Sequence, residues 1–171
     1  MFIGYFILPP NSDNYGRRPT FIITMILSTF AQGVILFTSN IHHLFLFMIV
    51  LGTTFSGKNI VALNYAIECQ PEGMKQFVVS LYWFVELSSI ILWSFYYQKL
   101  DKNWFPLQAV YFVVGIIAMF VTIFILPESP RYLYSKQKFD QARSSLNFIA
   151  SFNGKPKLRP FLFDNEIETE E

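Results

Sequence analysis

The chain is short of charge and of the residues that usually do chemistry. Asp, Glu, Lys and Arg make up 15% of its 171 residues, against about 25% in an ordinary soluble domain. Net charge is only +1, so the concentrated positive surface that nucleic acid requires is missing. One cysteine, Cys69, excludes an internal disulfide. Two histidines, His42 and His43, fall short of the three or four ligands of a usual metal site, and none is expected. No Asn-x-Ser/Thr acceptor, glycine-rich phosphate loop or pair of acids inside one apolar run occurs. The apolar start, Met1 to Leu8, has no basic flank and is too short to span, which argues against a signal peptide. No cofactor is implied.

What fills the space is apolar: 53% of residues are hydrophobic and 19% aromatic. Four stretches approach the ~20 apolar residues that cross ~30 Å of hydrocarbon. Residues 20–39 and 105–126 carry no charge, 44–67 carries only Lys58, and 77–98 only Glu86. Buried helices of a large soluble protein would be the alternative. Four such runs joined by loops this short exceed what a soluble core needs. The fold expected is an all-α membrane protein, a helical bundle. Residues 1–126 form the bundle, 127–152 an exit segment with an amphipathic helix, and 153–171 an acidic tail expected to be disordered. Met1 to Leu8 reads as the last turns of a helix whose beginning is absent, with Pro9-Pro10-Asn11-Ser12 a loop after it.

The basic residues orient the spans. Segments 9–19, 68–76 and 127–171 hold ten Lys and Arg, while 40–43 and 99–104 hold only Lys99 and Lys102. By the positive-inside rule the first group, and the C-terminus with it, is cytoplasmic. Cys69 then lies inside and both histidines outside, so no Cys–His nucleophile can form and an enzyme is not expected. Pro127-Glu128-Ser129-Pro130-Arg131-Tyr132-Leu133 stops the last span, because proline lacks an N–H and restricts the residue before it. Glu128 and Arg131 place opposite charges at this exit, where an ion pair between them is expected. Phe139, Ala142, Leu146 and Ile149 then recur at helical spacing, which predicts a helix over 136–150 under the membrane domain.

Two stretches carry a family resemblance. Asp13-Asn14-Tyr15-Gly16-Arg17-Arg18 resembles the signature that the major facilitator superfamily places between its second and third helices. Pro127 to Leu133 resembles the one after helix six in its sugar-porter and organic-cation-transporter branches. Glu68 with Pro71 and Lys75 is similar to the pattern closing helix four. Pro9, Asn14, Met48 and Lys75 depart from the family's usual residues. The resemblance implies a partial N-terminal half of a twelve-helix fold, from the end of helix two to just past helix six. Such a chain is a piece of a secondary transporter, with a small-molecule solute, the lipid bilayer and a second half as its partners. The solute would be an organic ion or sugar-like, moved by alternating access. The alternative is a truncated, non-transporting membrane protein that associates with partner helices.

The resemblance further implies that Asp13, Gly16, Arg17, Arg18, Glu68, Glu128 and Arg131 belong to a cytoplasmic gate network. The same arginines also suit simple topological anchoring. Lys58 and Glu86 each lie about nine residues, ~14 Å, from that face. They either pair, share a polar cavity, or have unrelated placements. Tyr82 and Trp83 beside Glu86 are candidates for an organic-cation pathway. Trp93, Tyr96 and Tyr97 suit the outer interface.

Overall fold

The computed structural model describes residues 2–99, 102–158 and 163. Every regular element among them is helical: α1 (Phe2–Tyr15), α2 (Arg17–Phe37), α3 (Ile41–Glu68), α4 (Glu72–Lys99), α5 (Phe105–Ile125), α6 (Pro130–Ser135) and α7 (Phe139–Phe152). Four of these, α2 to α5, are long and apolar enough to cross a membrane.

The bundle is built on α2, which packs against α1, α3 and α5. Its buried face is Thr20, Thr24, Met25, Ser28, Thr29, Ala31, Gln32, Ile35 and Leu36. Small and hydroxylated residues dominate it, as expected where lipid removes the hydrophobic drive and close backbone approach takes its place. Three of its hydroxyls bond to the helix's own end or backbone. Thr20 donates to Gly16 O at 2.9 Å, Thr24 to Phe21 O at 2.8 Å and Ser28 to Met25 O at 3.0 Å. At Gly57 three helices crowd together, since a Cβ there would collide with the Thr24 side chain and lie 3.1 Å from Leu8 Cδ1. Helices α1, α2 and α3 therefore meet at a position only glycine fits. From that point α3 widens into a π turn, Gly57–Val61, before resuming as Ala62–Glu68.

Helix α4 is different. None of its 28 residues is buried. Its main contact is with the Ala62–Glu68 end of α3.

Three readings from the sequence need correction. The loop expected at Pro9-Pro10-Asn11-Ser12 is helical, and α1 runs on to Tyr15. Two prolines leave the carbonyls of Tyr5 and Phe6 without their usual partners. Just beyond them Ser12 is wholly buried, donating to Pro9 O at 2.8 Å. Tertiary packing overrides the local breaker. Gly16, at φ +118°, ends α1 instead, and a single residue separates α1 from α2. Secondly, the exit stretch does stop the last span at Ile125, but its second half starts a new short helix, with Ser129 capping α6 through a bond from Tyr132 N at 3.2 Å and Pro130 in the first turn. Thirdly, the amphipathic helix begins at Phe139 and not at 136, because Gln137 at φ +58° and the Lys138 N to Leu133 O bond at 2.9 Å close a turn first. Of the acidic tail expected to be disordered, residues 159–162 and 164–171 lie outside the described residues. In the described part, Leu158 N donates to Asn147 Oδ1 at 2.9 Å, and the Phe163 ring lies 5.2 Å from that of Tyr134.

Candidate functional site

The two signature stretches come together at one end of the bundle. α2 begins with Arg17 and Arg18, two cations at the positive end of a helix dipole, and its first N–H groups have no partners within the helix. Glu128 supplies both deficits. Its Oε1 accepts the backbone N–H of Arg17 at 3.1 Å, of Arg18 at 3.0 Å and of Ser129 at 3.0 Å. The contact spans 111 residues of chain. It also explains Gly16: a Cβ there would sit 2.7 Å from Glu128 Oε2, at a backbone angle that side chains rarely adopt.

Beside it stands an ion pair. Arg17 Nη2 lies 3.0 Å from Glu68 Oε1 at the end of α3, with Nε donating to the same oxygen at 3.2 Å. Both side chains are largely shielded, at 14% and 13% exposure. Arg17 also pairs with Asp13 and donates from Nη1 to Ser12 Oγ at 2.7 Å. Glu68 Oε2 accepts the Ser129 hydroxyl at 2.5 Å. Arg18 reaches the end of α5, donating from Nη2 to Ile123 O at 3.0 Å, a cation set against a helix C-terminus. Tyr65 and Tyr132 complete the closure by donating to Pro127 O and Asn14 O, each at 2.9 Å.

Of the expected network, Asp13, Gly16, Arg17, Arg18, Glu68 and Glu128 are thus assembled in one place. Arg131 is not among them. The ion pair expected between Glu128 and Arg131 is absent from the described residues, because the carboxylate turns back onto three backbone donors while Arg131 is exposed on α6. The reading from sequence missed Ser12, Ser129, Tyr65 and Tyr132. Ser129 was visible as a capping residue just ahead of Pro130. The other three bear no sequence signal, since their partners are main-chain carbonyls or an arginine in other elements. Just past Glu68, burial pushes the Cys69 thiol up from its ordinary pKa.

Deeper in the bundle, Lys58 and Glu86 line one cavity of about 580 Å³, together with Tyr82 and Tyr111. They share the cavity and form no ion pair among the described residues. Trp83, expected beside them, is 53% exposed and takes no part in the lining, although its ring stands edge-on to Tyr82 at 5.5 Å. One helical step carries it round to the outer face of α4.

The profile of the sugar (and other) transporter family matches residues 1–160. The chain belongs to this family. Relatives in it include the high glucose sensor RGT2 of Saccharomyces cerevisiae, 27% identical over 98% of this chain and 22% of that protein. The D-xylose transporter of Levilactobacillus brevis is 24% identical, over 85% of this chain and 32% of its own length. The organic anion transporter 3 of Rattus norvegicus is 23% identical, over 91% and 28%. Sugar and organic-ion transporters thus both appear, as the two signatures led one to expect. The chain spans roughly a fifth to a third of these relatives' lengths. Family and apolar helices together make it an integral, multi-pass membrane protein of the major facilitator type.

Proposed function

We propose that the chain is part of a secondary transporter that moves a small organic solute, an organic ion or sugar-like molecule, by alternating access. Its basic end and C-terminus face the cytoplasm. The cluster of Asp13, Arg17, Glu68 and Glu128 holds the cytoplasmic side closed. The observation that carries this reading is the Glu128 carboxylate seated on the first turn of α2, 111 residues away. Bonds that exist only while α2, α3 and the exit stretch are drawn together favour the state in which they are together, and must break when that side opens. Partners are the solute, the bilayer and a second set of helices that completes the pathway. The test is solute uptake by the assembled transporter after Glu128→Ala, alone and combined with Glu68→Ala. Slower uptake with the cytoplasmic face more open to an impermeant thiol reagent is expected, and unchanged uptake and labelling would remove the gate.

A second reading is a non-transporting membrane protein that associates with partner helices. The fully unburied α4 supports it, as does a relative named as a sensor. Uptake that never appears with any partner half, beside stable co-purification with one, would favour it.

A further inference from the structure

The cavity between α3, α4 and α5 contains an arrangement the gate does not use. At about 580 Å³ it has the size of a small-ligand site. Its polar lining is Lys58 and Asn59 from α3, Tyr82, Glu86 and Ser89 from α4, and Tyr111 from α5. Lys58 lies within the π turn Gly57–Val61, whose extra residue per turn swings Lys58 and Asn59 into the cavity wall. Its ammonium has no carboxylate within pairing distance among the described residues, and the Glu86 carboxylate has no cation. The Tyr82 hydroxyl is buried and has no hydrogen-bond partner among the described residues. Two opposite charges at membrane depth thus face one space without meeting.

We propose that this cavity binds a zwitterionic organic solute, its carboxylate toward Lys58 with Asn59 and its ammonium toward Glu86 with Tyr82 and Tyr111. The inference rests on the transport reading above and names the class of solute. A neutral solute would leave both charges without a partner in a low-dielectric space. A simple cation or anion would satisfy one wall and meet a like charge on the other. Only a molecule carrying both charges answers both walls and leaves the net charge unchanged.

The test uses the full chain in lipid nanodiscs and equilibrium binding of four labelled probes: betaine (zwitterion), choline (cation), butyrate (anion) and glucose (neutral). Betaine should bind at least about tenfold more tightly than the others. Lys58→Met should lose betaine and turn the preference to choline, while Glu86→Gln should turn it to butyrate. A merely structural ion pair would weaken all probes together and would be rescued in Lys58→Met combined with Glu86→Gln. That pattern overturns the site. A wild-type preference for any other probe overturns it without a variant, so misfolding of either variant does not rescue the proposal. Betaine binding with the two inversions, yet no uptake by the assembled transporter, supports the site and counts against the transport reading. Uptake unaffected by either variant overturns the site and leaves transport standing.

Discussion

Glu128 does the work of a helix cap from outside the helix. Three backbone N–H groups converge on one of its oxygens. Glu128→Ala orphans all three and should cost about 2 kcal/mol, a large capping loss. Glu128→Gln keeps an acceptor but removes the charge at the dipole, for about 1 kcal/mol. Thermal melts of the detergent-solubilised chain should rank them in that order, and equal losses would mean the charge alone matters. Arg17→Ala strips the shielded Glu68 of its cation and should cost about 3 kcal/mol, the low end for breaking a buried pair. Arg131→Ala, at an exposed side chain, should stay within about 0.5 kcal/mol. Cys69 offers a pH readout. Burial raises its pKa, so the thiolate is scarcer at neutral pH than in a free thiol. Maleimide labelling should therefore be slow at pH 7 and should go on accelerating at alkaline pH beyond the point where a free thiol levels off.

Among the elements, the spans were legible because length and apolarity alone define them. The short helix α6 was not, since two prolines in seven residues read as a break when one of them in fact opens a helix. The continuation of α1 through Pro9 and Pro10 was also hidden, because the contact just beyond them, Ser12 with Arg17 of the next helix, has no local sequence signal. The same limit applied to the site. Charged residues at the signature positions could be read, but which acceptor each would choose could not. Glu128 and Arg131, three apart in sequence, suggested a pair, whereas the free N–H groups of α2 were the stronger claim. Glycine gives the prediction at this scale. Gly16→Ala, at φ +118° and against Glu128, should cost about 1–3 kcal/mol. Gly57→Ala should separate α3 from Thr24 on α2. Loss of cross-linking between cysteines placed on α2 and α3 would report it, and undiminished cross-linking would contradict the close crossing.

For the whole molecule the topology is testable directly. The ten basic residues in segments 9–19, 68–76 and 127–171, against two in 40–43 and 99–104, predict that a reporter after Glu171 is cytoplasmic and a tag between Ser39 and His43 is outside. Labelling of the terminus but not the tag by an impermeant reagent in intact cells would reverse the orientation. The bundle itself is uneven. α1, α2, α3 and α5 share buried faces, while α4 contributes none. In a bilayer a helix that parts from its neighbours keeps its own backbone bonds. On mild heating α4 should therefore drift sideways through the lipid as an intact rod before the others disassemble. Hydrogen exchange would scarcely register the event, because the amides of α4 stay bonded. A pair of spin labels on α3 and α4 would register it, as a distance distribution that broadens well below the temperature at which helicity is lost.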